Sequence, residues 1–303
     1  MTEKINVSRR EFLGTSGGVL AAPLGARIQP TVGEGLASVP ATPSAKVPVI
    51  DCHNNVGVTR LAGSSVDLTD LWFTFEDPEG VLGRMEEAGI DYSVVAHAGA
   101  HSYEQANEEI AELCRRHPGK LIGFAKHSPQ REKGRLRSLL FRDVHELGLR
   151  GVGQISETPT REMLDAISEL GIPLLYHAEQ FVGREYTENV EIFQEFVADY
   201  PKVNFIVSHL GSDNSCDWRQ HIAGIELAKT YPNVYIDTSS VVVTSYLEKA
   251  VQELPVEKLI FGSDGESCDS RMEIYKIRVL KLPKEKEELI LGGNILRLMG
   301  GRI

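Results

Sequence analysis

Ile50-Asp51-Cys52-His53-Asn54-Asn55 closes an apolar run that begins at Val47, and three later stretches answer it: Leu174-Leu175-Tyr176-His177, Ile206-Val207-Ser208-His209 and Phe261-Gly262-Ser263-Asp264. Each is a short apolar run that ends on a side chain able to bind a metal or move a proton, and long helical intervals separate them. A parallel barrel builds its active site in this way, from polar residues at the ends of strands that meet only in the closed fold. The competing architecture is an open doubly wound sheet. That fold wants a glycine-rich phosphate loop after the first strand, and Asn54-Asn55-Val56-Gly57 is not one. Only closure brings strand 1 beside strand 8, so the expected fold is α/β, a closed (β/α)8 TIM barrel.

The rest of the chain supplies the missing strands. β-rich runs read at Val47-His53, Asp91-Ala96, Leu121-Lys126, Leu149-Ile155, Ile172-His177, Val203-His209, Val234-Asp237 and Lys258-Asp264. Helical periodicity lies between them: Leu82, Met85 and Ala88 form one face, and Ala106, Ile110 and Leu113 another. Pro201, Pro232 and Pro255 stop helices just before a strand. Glu146-Leu147-Gly148-Leu149 and Glu169-Leu170-Gly171-Ile172 have the form of a helix stop followed by a strand start. The tail from Lys284 to Gly300 reads as helical and closes the barrel.

A chain of 303 residues and 33.4 kDa suits one large barrel over residues 47–303, and its 42% hydrophobic content is enough for a sizeable core. A formal charge of -11 would repel phosphates, so nucleic acid is not the expected partner. No apolar run reaches the roughly 20 residues that span a bilayer, so stable membrane insertion is not expected either. A small-molecule substrate is.

The N-terminus reads differently. Ser8-Arg9-Arg10-Glu11-Phe12-Leu13-Gly14 followed by the mildly apolar stretch Leu13 to Ala26 resembles a bacterial twin-arginine signal peptide over residues 1–26, with cleavage near Ala22 or Ala26. Residues 27–46, rich in Pro, Gly, Ala, Ser and Thr, read as a disordered linker. The expected location is therefore periplasmic or secreted, with the twin-arginine machinery as a transient partner. Of the four cysteines, Cys52, Cys114, Cys216 and Cys268, the last two fall in loops on the same face and could meet; no C-x-x-C pair suggests a zinc site.

Strand alternation places Asp51, His53 and Asn55 on one face and Cys52 on the other. With that face inward, His53 and Asn55 stand at the barrel mouth, where His177, His209 and Asp264 converge. The first-strand pattern is Asp-x-His-x-His with Asn55 in place of the second histidine. His53, His177 and Asp264 can supply the three ligands a catalytic metal needs beside an open position. Asn55 could add an amide oxygen or contact substrate. His97 and His101 after strand 2, Lys126 and His127 at the end of strand 3, and Gln154 near the end of strand 4 are weaker candidates for the pocket lining. Arg184 and Trp218 read first as a surface arginine and a packing tryptophan, with the capacity to hold a substrate carboxylate and ring.

A family resemblance rests on pieces spread over nearly the whole segment after the linker: Ile50-Asp51-Cys52-His53, Met85-Glu86-Glu87-Ala88-Gly89-Ile90-Asp91, Arg116-His117-Pro118-Gly119-Lys120, Ser208-His209-Leu210-Gly211, Pro232-Asn233-Val234-Tyr235-Ile236-Asp237-Thr238-Ser239, Phe261-Gly262-Ser263-Asp264 and Gly293-Asn294-Ile295-Leu296. In order and spacing the chain resembles the amidohydrolase superfamily, in the branch of amidohydrolase-related proteins that includes aminocarboxymuconate-semialdehyde decarboxylase. The resemblance implies a divalent metal, zinc or manganese, on His53, His177 and Asp264, with Asn55 the departure from the pattern. It implies that Asp264 acts as general base, that His209 holds or protonates the substrate, and that the protein forms a homodimer. The first expectation is a metal-dependent hydrolase working through metal-activated water. The alternative is a metal-dependent decarboxylase of a small carboxylated ring compound, which uses the same residues. A third reading, prompted by Asn55, is a metal-free binding protein.

Overall fold

Eight short strands run in chain order: β1 Ile50–Val56, β2 Tyr92–His97, β3 Leu121–Gly123, β4 Val152–Ile155, β5 Leu174–Tyr176, β6 Phe205–Val207, β7 Val234–Asp237 and β8 Leu259–Ile260. The computed structural model describes residues 46–57, 78–98, 102–177, 186–212, 218–265 and 267–303. The signal peptide and nearly all of the linker expected from the sequence lie outside them, as do His101, Arg184 and Cys216 and the side chain of Trp218. All paired strands are parallel: β1, β2 and β3 form one set and β4 to β8 the other.

Two seams close these sets into the (β/α)8 barrel. Beyond β3, Ala125 bridges Val152 in parallel; its N–H donates to the Gly151 carbonyl at 2.8 Å and its carbonyl accepts from Gly153 N–H at 2.8 Å. Between β8 and β1, Cys52 N–H donates to the Phe261 carbonyl at 3.0 Å and Asp264 N–H to the His53 carbonyl at 2.9 Å. The second seam is thus made by the residues that carry the polar strand ends.

Helices α1 Pro78–Ala88, α2 Tyr103–Arg116, α3 Leu136–His145, α4 Arg161–Leu170, α5 Tyr186–Asp199, α6 Trp218–Thr230, α7 Thr244–Glu253 and α8 Ser270–Arg278 alternate with the strands. Their apolar faces are those the periodicity predicts: Val81 and Met85 are buried on α1, with Leu82 and Ala88 packed against the core, and Ala106, Ile110 and Leu113 are buried on α2. Gly171 caps α4 at φ 62, a left-handed turn that costs glycine least. None of the described helices is long and apolar enough to cross a membrane.

The core has two layers. The larger lies between barrel and helices. The inner one gathers Ile50, Cys52, Val94, Ala96, Ile122, Phe124, Leu175, Ile206, Tyr235 and Ile260 inside the barrel. The helical tail (α9 Lys284–Glu288, a wide turn over Leu289–Gly293, and α10 Asn294–Leu298) adds Ile295, Leu298 and Met299 to that inner layer. Each such side chain contributes about 1.5–3 kcal/mol when fully buried. With that end packed, the cavity opens at the C-terminal ends of the strands.

One expectation from alternation fails. Asp51 pairs with Ser93 and Asn54 with Val95, so three steps on β1 match two on β2, which is a bulge. Cys52 belongs to the inner layer, whereas Val95 belongs to the outer one. Asp51 and Asn54 therefore share the outer side, where Asn54 Nδ2 donates to Asp51 Oδ2 at 2.7 Å and to Ser93 Oγ at 2.8 Å. Cys52 and His53 both turn inward, and Asn55 follows beside Ala96.

Candidate metal centre

His53 leaves the bulge of β1, His177 follows β5 and His209 follows β6; one ring nitrogen of each lies within 4.8 Å of the others. His177 Nε2 and His209 Nε2 are 2.9 Å apart. Asp264 stands just past β8, its Oδ1 3.8 Å from His53 Nε2. Close approach of β8 needs Gly262, because a Cβ there would come within 2.9 Å of His53 Cβ.

The backbone bends to aim these groups. Among the described residues, Gln154, His209, Leu210, Ser240 and Asp264 take positive φ of 52 to 55°, and all follow or end strands at the mouth. Such non-glycine conformations cost on the order of 1–3 kcal/mol each and persist where the surroundings dictate them.

Asp237, the last residue of β7, organises the cluster. Its Oδ2 accepts from His53 Nδ1 at 2.7 Å, and its Oδ1 accepts from His209 N–H at 3.1 Å and from Ser239 N–H at 2.9 Å. A carboxylate can only accept here, so the His53 proton sits on Nδ1 and the lone pair of Nε2 faces Asp264. Ser239 does the same for His209. Its hydroxyl donates to Asp237 and accepts from His209 Nδ1 at 2.8 Å, which leaves the lone pair of His209 Nε2 facing His177. Burial would raise the pKa of Asp237, but the charge of His53 and the hydrogen bonds it accepts hold it well below the usual carboxylate range.

Burial, reinforced by the neighbouring rings of His209 and His53, pushes the pKa of His177 well below its ordinary value; burial and His53 lower that of His209. Neutral imidazoles are what metal binding requires. Three inward lone-pair nitrogens with one carboxylate beside them fit a divalent cation, either zinc or manganese by donor type. His53, His177, His209 and Asp264 would hold it. His209, expected only as a substrate contact, is thus drawn into the ligand group, and that group assembles without Asn55, which is buried nearby on the inner face.

Other candidates separate cleanly. His97 turns away from the barrel, against Gly57, with Nε2 3.5 Å from Glu109 on α2. His127 also points outward, between Glu132 and Asp143. Gln154 reaches across the mouth and donates to the Asn54 carbonyl at 3.3 Å. Cys52, Cys114 and Cys268 are free thiols, and burial with the charges of Asp237 and Asp51 pushes the Cys52 pKa well up, so it is inert. Asp237 is the functional residue that sequence reasoning passed over. Its signal was the one used elsewhere, an apolar strand ending on a carboxylate.

A closed barrel whose strand ends present histidines and an aspartate to a common point defines a metal-dependent hydrolase type of fold. Residues 50–301 match the family model described as Amidohydrolase, and the chain belongs to that family. No curated protein matches it. Among solved structures, 5-carboxyvanillate decarboxylase from Sphingomonas paucimobilis is 16% identical, covers 84% of this chain and 99% of its own, and superposes with a TM-score of 0.61. A 2,6-dihydroxybenzoate decarboxylase from Rhizobium gives 17%, 84%, 98% and 0.60. A dihydroxybenzoic acid decarboxylase from Polaromonas, with bound manganese and the inhibitor 2-nitroresorcinol, gives 17%, 84%, 98% and 0.65. At such identities the likeness speaks for the fold alone.

Proposed function

We propose that this protein is a metal-dependent decarboxylase that removes carbon dioxide from a small carboxylated ring compound, in preference to the hydrolase expected first. The observation that carries the reading is the meeting of His53, His177 and His209 nitrogens within 4.8 Å, with Asp264 beside them, at the open end of a closed barrel. The choice of carboxy-lyase over hydrolase is supported by the similar solved structures, which are decarboxylases of hydroxylated benzoates, one holding manganese.

A bound zinc or manganese ion would act as a Lewis acid that orients the substrate oxygens and draws charge from the ring. The residues do the rest. Asp237 fixes His53, and Ser239 fixes His209, so the first turn of chemistry needs no reorganisation of either ring. As the bond from ring to carboxylate breaks, its electron pair stays on the ring carbon and carbon dioxide leaves. Asp264 delivers to that carbon the proton that replaces it, drawn from solvent. The Ser240 hydroxyl, donating to Asp264 Oδ2 at 2.7 Å, keeps the carboxyl aimed. His209 steadies the charge that develops on the substrate oxygen.

Protein loaded with zinc or manganese is expected to release one carbon dioxide per molecule of ring acid consumed from a panel of hydroxybenzoates. Turnover of esters, lactones or amides without carbon dioxide release would return the assignment to hydrolysis. The aminocarboxymuconate-semialdehyde decarboxylase-like branch, a homodimeric assembly and export by the twin-arginine route belong to the same proposal. Joint replacement of Arg9→Lys and Arg10→Lys should then retain the protein inside the cell; unchanged export would remove that part.

A further inference from the structure

The end of β3 pairs a rigid buried anchor with an inward cation. Ile122 and Phe124 lie in the inner layer and Leu121 and Ala125 in the outer, so alternation continues past the strand and sends Lys126 inward and His127 outward. His127 is clamped outside by Asp143 at 2.8 Å and Glu132 at 3.0 Å. Asn107, fully buried on α2, holds both main-chain groups of Lys126: Lys126 N–H donates to Asn107 Oδ1 at 2.9 Å, and Asn107 Nδ2 donates to the Lys126 carbonyl at 3.2 Å and to Asp143 Oδ2 at 2.8 Å. The side chain is therefore projected from a fixed base.

Lys126 Nζ donates to the carbonyl of Ala98, just past β2, at 2.8 Å. A carbonyl steadies an ammonium without neutralising its charge. That charge reaches His177, whose protonation it opposes. The ammonium thus stands at the rim between β2 and β3 and within electrostatic range of the histidine cluster. In a protein of net charge -11, a lysine held facing the mouth is a feature that a neutral substrate would not need.

We propose that Lys126 is the binding residue for an anionic group of the substrate, so that the pocket takes ring carboxylates and discriminates against their neutral analogues. The inference rests on the decarboxylase reading for the identity of the substrate class. Lys126 binds ground state and transition state alike, so its loss falls on affinity and KM, with kcat largely kept.

The test titrates 2,6-dihydroxybenzoate and its neutral amide into the full-length, manganese-loaded protein and into Lys126→Met and Lys126→Arg, with metal content measured in each. A hydrogen bond between charged partners implies that the parent prefers the acid by about 10- to 100-fold, that Lys126→Met abolishes most of this, and that Lys126→Arg restores most of it. Equal preference in parent and Lys126→Met, or no preference in the parent, overturns the proposal. A parent that carries no metal yet prefers the acid through Lys126 would keep this inference and remove the proposed function. A metal-loaded parent that releases carbon dioxide from ring acids but is indifferent to Lys126→Met would do the reverse.

Discussion

Two groups of buried histidine chemistry sit in this barrel a few residues apart in role and opposite in design. Inside the mouth, three imidazoles face one another, and one carboxylate, Asp237, is committed to the far nitrogen of His53. Outside, His127 is held between two carboxylates on its two nitrogens, Asp143 and Glu132. Burial alone would lower the pKa of every one of these rings. It does so for His177 and His209, whereas the hydrogen bonds and charges of Asp143 and Glu132 outweigh burial and raise that of His127. The count and placement of acceptors thus decide whether a buried histidine offers a lone pair or a charge. One group is built to hold a cation; the other has become one.

Breaking the inner group should cost the most. His177→Ala or Asp264→Ala is expected to lower carbon dioxide release by about 10³-fold or more, since a Lewis acid contributes several kcal/mol and each 1.36 kcal/mol is tenfold. Rates in metal-supplemented buffer check this, and retained activity in either variant would dissolve the distinction between the groups. The outer group should fail differently. Asp143→Ala strands part of the His127 charge in a buried site and is expected to cost about 3–5 kcal/mol of unfolding free energy. Denaturant titration reads that loss, while metal content per folded molecule stays unchanged.

A subtler change sharpens the comparison. Asp237→Asn removes the charge that fixes His53 but leaves the fold, so metal affinity should fall about 10- to 100-fold, as for other partners of ligating histidines. Competition with a chelator measures it. The smallest effect is the dependence of stability on pH in the metal-stripped protein, where the two groups have opposite signs. His177 and His209 titrate lower in the fold than unfolded, so the unfolded chain takes up more protons and stability falls as pH drops below about 6.5. His127 titrates higher in the fold; its contribution is fully present below about 6.5 and is lost as pH rises through its raised value. Melting curves of parent and His127→Gln should therefore converge on the alkaline side and both decline on the acid side, with slopes of at most about 1.4 kcal/mol per pH unit for each proton.

How far these groups could be read from the chain depends on what each needs. His53, His177, His209 and Asp264 were legible because an apolar run that ends on a ligand is a local signal, and barrel closure then brings such ends together. Gly171 and the buried faces of α1 and α2 were legible for the same local reason. The split between Asp51 and His53 was not. Alternation assumes a regular ladder, and the bulge at Cys52–His53 exists only in pairing with β2. Nor was the entry of His209 into the ligand group, which depends on left-handed turns at His209 and Leu210 that the contacts with Asp237 and Ser239 hold in place. The outward clamp of His127 needs Asp143 and Glu132 from elsewhere in the chain, and no short window of sequence contains all three.

The central claim is that the inner histidines hold a metal and the outer one does not. Elemental mass spectrometry of the purified protein, beside His177→Ala and His127→Gln, tests it directly. The account predicts near-stoichiometric zinc or manganese in the parent and in His127→Gln, and none in His177→Ala. A parent that stays metal-free after incubation with both ions, or a His177→Ala variant that keeps its metal, would contradict it.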